Sequence, residues 1–380
     1  MTNDENLLDF RLLHTGPCGA AEHMCLDAVI MEARDQGTCP NTLRFLRFPR
    51  CALVGLHQNT ALEVNVEYCR GSGVQINRRI TGGGALYCGQ AELGLELYAS
   101  KATPGIPADV TTLYRVMCQA LVGGLRKLGL NAAHRPVNDI EVSGRKIAGT
   151  SGGEVGEAMV FQCSLLVDFD VDEMLRVLRL SLEKLGDKAC ASFRDRVTWV
   201  GQELGFIPER ERLEEALLAG LSEYFDFRFT PGELNPGELS LLEKKLPDFT
   251  SEKWIMGEKG GVIHTVDAWA NHKAPGGLIR VNVRLDRTLR RFMSVLITGD
   301  FIAYPPRFVH DLEAGLRTAT ADWEAVGGVV GYFLRKHQAC LPGVSQEDLT
   351  TAVLAAVDKA RAVQGRAAQG PRSSEIRGQG

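Results

Sequence analysis

Three adjacent glycines follow two adjacent arginines in the stretch Q-I-N-R-R-I-T-G-G-G-A-L-Y, residues 75–87. Because glycine loses more backbone freedom on folding than any other residue, three in a row need a compensating role. A loop without Cβ atoms lets a ligand lie against the backbone and take hydrogen bonds from its N–H groups. The spacing matches neither G-x-x-x-x-G-K-[ST] nor G-x-G-x-x-G, so it is not a standard nucleotide loop. For the glycines alone, a bend that only closes a sheet is the alternative.

The two arginines favour the ligand-binding interpretation. Neighbouring side chains on a strand point to opposite faces, so we expect one of Arg78 and Arg79 to face a cleft and the other to lie outside it. A guanidinium beside exposed backbone amides is suited to a phosphate or a carboxylate. The stretch therefore predicts an anion site at the end of a strand.

A second group of charged residues lies in N-D-I-E-V-S-G-R-K-I-A-G-T-S, residues 138–151, which predicts two short strands joined by a tight turn at Ser143-Gly144. By strand alternation only one of Arg145 and Lys146 can face a given side, and Asp139 lies across the turn. A lysine in a cleft can neutralise charge on a phosphate and a carboxylate during acyl transfer, and a nearby acid can hold Mg²⁺. A solvated strand face is the alternative for this segment.

Composition excludes several classes of function. The chain has 380 residues and a net charge of −4, which gives no general attraction to nucleic acid or to an anionic membrane. The ten cysteines form no C-x-x-C pair, which predicts reduced, mostly buried thiols and no zinc site. The acidic N-terminal residues and the lack of a long apolar run predict a cytoplasmic protein without a membrane span.

Helical and strand periodicities alternate through the first half of the chain and resume after residue 235. Two Pro-Gly steps in F-T-P-G-E-L-N-P-G-E, residues 229–238, predict a domain boundary. We therefore expect a large domain over residues 1–235 and a smaller one over 239–340. A helix over 341–363 and a disordered tail over 364–380 complete the prediction.

Four motifs in order give the chain a specific resemblance. The loop from Arg78 to Gly89, the strand from Asn138 to Ile140, the strand from Gly144 to Thr150 and the segment R-D-R-V-T from Arg194 to Thr198 resemble the lipoate-protein ligase family. The C-terminal stretches G-G-L-I-R-V-N-V and I-T-G-D-F resemble that family's accessory domain. The resemblance covers roughly residues 9–340.

This resemblance implies a fold, a reaction and a set of site residues. The fold is α/β (α+β), with a large mixed sheet shared with biotin ligases and a smaller C-terminal α/β domain. The reaction makes lipoyl-AMP from lipoate and ATP with Mg²⁺, then passes the acyl group to a lysine of a lipoyl carrier protein: a lipoyl domain, a glycine-cleavage H-like protein or a lipoate-binding protein. The implied site residues are Arg79 at the adenylate phosphate, Gly82, Gly83 and Gly84 along the lipoyl tail, Asn138 and Asp139 at the phosphate and metal end, and Lys146 between acyl carbonyl and phosphate.

The chain also departs from the family pattern. Cys88-Gly89 stands where the family often has His-Asp, Gln162 and Cys163 stand where it often has His-Gly, and Trp199 replaces an Asn. Related octanoyltransferases use a cysteine nucleophile and no ATP, but residues 134–137, where that cysteine would lie, read H-R-P-V. A cysteine-dependent octanoyl or lipoyl transferase and a non-catalytic lipoyl-binding relative are the alternatives to the ligase.

Overall fold

The computed structural model describes residues 7–107, 110–136, 138–179, 194–257, 268–286, 291–317 and 319–368. The chain divides into two compact units, residues 1–261 and 262–380. Among the described residues no helix combines the length and the apolar content that a membrane span requires.

Eleven strands of the described part belong to the first unit. They are β1 (Leu8–Thr15), β2 (Thr42–Arg47), β3 (Cys51–Val54), β4 (Gln75–Arg78), β5 (Leu86–Cys88), β6 (Leu93–Ser100), β7 (Ala132–Arg135), β8 (Asp139–Val142), β9 (Arg145–Val155), β10 (Ala158–Leu165) and β11 (Phe227–Pro231). Eight of them form one sheet in the order β11-β1-β2-β6-β10-β9-β8-β7. A second sheet has the order β4-β3-β5.

The large sheet is mixed. Strand β1 runs parallel to both β2 and β11, whereas β2, β6, β10, β9, β8 and β7 follow one another antiparallel. The β8–β9 turn holds Ser143 at φ 52° and Gly144 at φ 76°, the left-handed pair that a two-residue hairpin needs. The predicted mixed α/β sheet and this predicted turn are both confirmed.

Nine helices of the described part accompany these strands. They are α1 (Ala20–Asp35), α2 (Thr60–Glu63), α3 (Val66–Ser72), α4 (Val110–Lys127), α5 (Val171–Val177), α6 (Val200–Leu204), α7 (Arg210–Phe225), α8 (Pro236–Thr250) and α9 (Glu252–Met256). Helix α1 packs on β6, β9 and β10, and it buries Met24, Val29 and Ile30. The predicted N-cap of α4, Asp109, lies outside the described residues.

The second Pro-Gly step begins a helix rather than a linker. Asn235 caps α8 through a capping box with Glu238, and Pro236 occupies the first turn, where proline's missing N–H costs nothing. Glu238 also pairs with Arg11 of β1 at 2.6 Å, and α8 packs against α1. The structure therefore groups residues 236–257 with the first unit, and the boundary falls later than the predicted 235–239.

The second unit contains the strands β12 (Ala268–Ala274), β13 (Gly277–Asp286) and β14 (Arg291–Gly299) in one antiparallel sheet. Three helices follow: α10 (Arg307–Leu316), α11 (Trp323–Lys336) and α12 (Gln346–Ala368). Helix α12 packs on β12 and β13, and its apolar side chains complete the core of this unit. It extends to residue 368, so the start of the predicted disordered tail is helical, while residues 369–380 lie outside the described part.

Candidate active site

A cavity of about 390 Å³ is lined by residues from both sheets of the first unit and from α1. Much of its wall is apolar, including Met24, Leu46, Phe48, Leu53, Leu86 and Leu166. Its polar side chains include Arg79, Asn138, Lys146, Glu96 and Gln162. An apolar trough of this kind with a few polar groups suits a flexible acyl chain that carries a polar head.

Lys146 of β9 lines the cavity and pairs with an acidic residue that also binds an arginine. Its Nζ lies 2.7 Å from Oδ1 of Asp139, and Oδ2 of Asp139 accepts from Arg135 at 2.7 Å. Burial raises the pKa of Asp139, but the two cations outweigh it and hold that pKa below its usual range. Asp139 is therefore a fixed anion that orients the Lys146 ammonium.

The backbone of Lys146 is fixed from the side of the R-D-R-V-T segment. Its N–H donates to the carbonyl of Arg196 at 2.8 Å, and its carbonyl accepts from Thr198 N–H at 2.8 Å. Arg145 points the other way and pairs with Glu203 at 2.6 Å, as strand alternation predicts. The strand that carries Lys146 and the R-D-R-V-T segment, which are distant in sequence, thus together position the Lys146 side chain.

Gly149 leaves room for the lysine side chain. A Cβ on Gly149 would lie 2.8 Å from Nζ and 2.9 Å from Cε of Lys146. The Lys146 side chain therefore lies against the backbone of Gly149 on its own strand, where any larger residue would displace it.

Arg79 is buried at the cavity wall without an acidic partner among the described residues. Its guanidinium donates to the carbonyls of Leu53, Gly82 and Gly84 at 2.9 to 3.1 Å, and its Nε has no partner. Burial lowers the pKa of Arg79 to about 10, so it remains charged at neutral pH. A buried positive charge that only carbonyls surround favours an incoming anion.

Arg79 lines the cavity and Arg78 lies outside it, as the sequence predicts, but Arg78 is not exposed to solvent. It is as buried as Arg79 and donates to the carbonyls of Gly55, Leu56, Gln58 and Trp254. Strand β4 ends at Arg78, so the alternation of side chains does not extend to Arg79. Arg78 thus joins chain segments together, and Arg79 is the arginine that lines the cavity.

The glycine stretch meets the cavity through its middle and last members. Gly83 and Gly84 line the cavity, whereas Gly82 contacts Arg79 through its carbonyl. Gly83 has φ +95°, and its carbonyl would lie 1.9 Å from a Cβ on Gly55. The carbonyls of Gly82 and Gly84 face the arginine, so this backbone holds the cation in addition to offering the contact surface that the sequence predicts.

Asn138 also lines the cavity and links two strands. Its Nδ2 donates to the Thr150 carbonyl at 2.6 Å, and its own carbonyl accepts from Thr150 N–H at 2.9 Å. These bonds hold the start of β8 against β9.

Asp139 is the residue that the resemblance assigns to a metal. No cluster of three or more His, Cys, Asp or Glu side chains suited to a metal lies in the described part of the chain. Both carboxylate oxygens of Asp139 already contact cations. Mg²⁺ is commonly bound through one or two carboxylates together with substrate phosphates, so these residues alone do not form a magnesium site. The metal role of Asp139 stays a prediction.

A buried polar row, which sequence reasoning missed, crosses four neighbouring strands on the cavity side. Arg44, Glu96, Gln162 and Ser151 are successive cross-strand partners on β2, β6, β10 and β9. Asp27 of α1 packs on this row, and its Oδ1 lies 2.7 Å from Arg44 Nη1. The one sequence signal was Gln162, which departs from the family pattern.

The cysteines near the cavity are buried. Cys163 lines the cavity, and burial raises the pKa of its thiol. Burial also raises the pKa of Cys118, whose Sγ lies 3.9 Å from Thr150 Oγ1, to about 12. A nucleophilic cysteine needs its pKa lowered, so neither thiol is prepared for attack. Cys190 lies outside the described residues.

Gly89, another departure from the family pattern, makes space for a buried acid. A Cβ on Gly89 would lie 2.6 Å from Oε2 of Glu92, whose two carboxyl oxygens have no well-aligned partner in the described part of the chain. Burial raises the pKa of Glu92 to about 7, although the backbone N–H groups of Glu92 and Gly89 lower it in part. An aspartate at position 89 would meet this carboxyl directly.

We expect the free energy of unfolding of the parent protein to fall, relative to that of a Glu92→Gln variant, as pH rises from 4.5 to about 7. The pKa of Glu92 is raised from 4.5 to about 7 on folding, so the folded state holds more protons than the unfolded state between these values. Stability therefore falls as pH rises through this window, by up to about 3 kcal/mol relative to the variant. Urea unfolding at pH 5 and pH 8 should show the difference, and parallel pH dependences for the two proteins would contradict it.

The chain is similar in sequence to known proteins of one family. Residues 19–222 match the family model of the lipoyl protein ligase A/B catalytic domain. The octanoyltransferase LipM of Kyrpidia tusciae is 30% identical over 64% of this chain and 97% of its own length. Lipoate-protein ligase A subunit 1 of Thermoplasma acidophilum is 30% identical over 65% of this chain and 95% of its own length.

A solved structure gives the same result for the fold. The bi-partite lipoate protein ligase of Thermoplasma acidophilum, studied with its E2 lipoyl domain, superposes with a TM-score of 0.60 over 66% of this chain and 97% of its own, at 30% identity. The relatives include both ligases and octanoyltransferases, so the family is common to both reactions. The chain therefore belongs to the lipoyl protein ligase A/B family, whose members act in lipoate and octanoate attachment to proteins.

Proposed function

We propose that this protein is an ATP-dependent lipoate-protein ligase, which activates lipoate or octanoate as an acyl-adenylate and transfers the acyl group to a lysine of a lipoyl carrier protein. The observation that carries the proposal is the buried Arg79 guanidinium, which faces the cavity with no acidic partner among the described residues. The substrates of adenylation are a carboxylate and a polyphosphate, both anions. The reacting group of a transferase substrate, an acyl thioester, is neutral before attack and so offers this charge a weaker partner than a carboxylate or a polyphosphate does.

Lys146 supplies the second cation. Attack of a carboxylate oxygen on the α-phosphorus forms an O–P bond while the bond to pyrophosphate breaks, and negative charge builds up between the two reactants. A lysine fixed by Asp139 and by the Arg196 and Thr198 backbone is arranged before the reaction and stabilises this charge in the transition state. ATP and Mg²⁺ are proposed as reaction partners on this basis. The metal would enter the site bound to the phosphates of ATP.

The transfer half of the reaction needs a carrier lysine and no enzyme nucleophile. The mixed anhydride of acyl-AMP is already activated, so the amine attacks the carbonyl carbon and AMP leaves. The lipoyl carrier is proposed because a solved relative was studied with its E2 lipoyl domain. The proposal names lipoyl carriers as a class and no single carrier.

The second candidate is a cysteine-dependent octanoyltransferase, which the similarity to LipM favours. Its nucleophile would have to be a thiol near Lys146 or the apolar wall. Cys163 and Cys118 have raised pKa values there, which opposes this role. The measurement that separates the two functions is release of pyrophosphate on mixing lipoate and ATP without any carrier.

The double substitution Cys88→Ser, Cys163→Ser tests whether either of these two cysteines is the nucleophile of a transferase. If the acyl group is activated by AMP, serine should serve in both places, and ATP-dependent lipoylation should stay within about tenfold of the parent, or about 1.4 kcal/mol in the barrier. Carrier lipoylation followed by intact-protein mass spectrometry measures this. An acyl thioester on either cysteine of the parent, lost together with activity in the double variant, would overturn the ligase mechanism.

A further inference from the structure

A row of four cross-strand neighbours crosses the cavity wall, beginning beside Lys146. Gly149 of β9 pairs with Ser164 of β10, and Ser164 pairs with Gly94 of β6. Gly94 in turn pairs with Leu46 of β2. Gly149, Ser164 and Leu46 line the cavity. These four residues, which we call the floor row, therefore mark one line across the sheet under the cavity.

The floor row gives a direction to an acyl chain. The ammonium of Lys146 lies at one end of the row, because a Cβ on Gly149 would lie 2.8 Å from its Nζ. Leu46 lies at the other end in a cluster of buried apolar side chains. Neighbouring strands are about 4.8 Å apart, so Gly94 lies about 10 Å from Gly149, which is close to the extended length of a medium-chain acyl group. An acyl group with its carboxyl at Lys146 would thus have its far end near Gly94 and Leu46.

Two apolar side chains cover Gly94. A Cβ on Gly94 would lie 2.6 Å from both Cγ and Cδ2 of Leu46 and 2.8 Å from Cε2 of Phe48. Carbon atoms that are not bonded attract best at about 3.5–4.0 Å, so contacts this short are repulsive. Leu46 and Phe48 both line the cavity. The missing side chain at residue 94 therefore lets Leu46 and Phe48 pack directly against the sheet.

Leu46 and Phe48 have packed neighbours on the sides that do not face the cavity. They share one buried apolar cluster with Ala20, Cys25 and Cys51. The backbone of β2 is held between β1 and β6 in the large sheet. Protein cores are close-packed and have few voids, so a group that displaces these two side chains from the sheet would move them into the cavity.

We infer that Gly94 is a positioning residue that sets the length of the acyl group which the cavity accepts. It acts through Leu46 and Phe48, and the inference rests on the proposed function. With glycine at residue 94, the far end of the cavity is left open for the tail of octanoate or lipoate. With a larger residue there, Leu46 and Phe48 would occupy part of that space, and shorter acids would be preferred.

The test measures acid-dependent exchange of pyrophosphate into ATP with hexanoate, octanoate, decanoate and lipoate. In Gly94→Ala, the ratio of kcat/KM for octanoate to that for hexanoate should fall by about tenfold or more, because a single methylene group in an apolar pocket can change kcat/KM by about that factor. The use of lipoate should fall in the same way. The loss should appear mainly in KM, because the reacting end of the acid stays at Lys146. A general folding defect would instead lower kcat/KM for all the acids alike.

Gly123→Ala is the matched control, because Gly123 lies on α4 and a Cβ there would meet nothing within 4 Å. Its octanoate-to-hexanoate ratio should equal that of the parent. Leu46→Ala removes the two atoms nearest to the new Cβ and should raise the use of decanoate relative to octanoate. Adding Gly94→Ala to Leu46→Ala should reverse this gain, because the new methyl group fills part of the opened space. This second comparison decides the question even where Gly94→Ala alone fails to fold.

The outcomes separate the role of Gly94 from the proposed function. An unchanged octanoate-to-hexanoate ratio in a folded Gly94→Ala variant, an equal change in Gly123→Ala, or an undiminished gain for decanoate in the double variant would overturn the role of Gly94 and leave the ligase proposal intact. Absence of exchange by the parent with every one of the acids would overturn the proposed function, and the inference with it.

Discussion

Replacing Lys146 with alanine should slow acyl-adenylate formation by about 10²- to 10³-fold, a cost of about 2–4 kcal/mol, with little change in ATP affinity. The reason is that the charge facing the ammonium is largest in the transition state. Stability should change little, because Lys146 is half-buried and its partner Asp139 keeps Arg135. Single-turnover release of pyrophosphate gives the rate, and equilibrium nucleotide binding gives the affinity.

Arg145→Ala is the matched control for this experiment. Arg145 is the next residue on the same strand, but it pairs with Glu203 on α6 and does not line the cavity. We expect its adenylation rate to stay within a few-fold of the parent. Near-normal adenylation by Lys146→Ala, or an equal loss in both variants, would show that Lys146 is not the catalytic cation.

Arg79→Met should lower adenylation by about 100-fold while leaving the free energy of unfolding within about 1–2 kcal/mol of the parent. Arg79 has no acidic partner among the described residues, so its removal leaves no buried carboxylate unpaired. The variant no longer has the free-energy cost of burying a charge, and this offsets the lost hydrogen bonds to three carbonyls. Urea unfolding and pyrophosphate release on the same preparation measure the two quantities.

Arg78→Met should behave in the opposite way. Arg78 bonds the carbonyls of Gly55, Leu56, Gln58 and Trp254 together, and it also donates to Thr60 Oγ1. Its loss should cost about 3 kcal/mol or more of stability, because five acceptors on separate chain segments lose their donor at once, against three for Arg79. If Arg79→Met instead unfolds the protein as Arg78→Met does, then Arg79 is structural and the anion site lies elsewhere.

Features determined by local sequence could be predicted. The Ser143-Gly144 hairpin follows from two residues that tolerate positive φ, and the opposite directions of Arg145 and Lys146 follow from strand periodicity. The Pro-Gly step before Glu238 predicts a linker, but Asn235 and Pro236 begin a helix, which these residue types do as readily. Local composition alone does not show that α8 packs on α1.

Features determined by strand register could not be predicted. Arg44, Glu96, Ser151 and Gln162 are far apart in sequence, and they share a row only because β2, β6, β10 and β9 pair in one register. A shift of one residue on any strand would move its member of the row to the other face. The polar end of the cavity therefore becomes visible only in the folded chain, as does the space that Gly89 leaves for Glu92.

The proposed ligase catalyses formation of an acyl-adenylate in this cavity. Purified protein, free of any carrier, should be mixed with ATP, Mg²⁺ and lipoate or octanoate, and pyrophosphate should be measured together with protein-bound acyl-AMP. The ligase account predicts close to one equivalent of each per protein molecule in a single turnover, dependent on the acid. Absence of pyrophosphate with either acid, together with ATP-independent movement of an octanoyl group from one carrier to another, would contradict it.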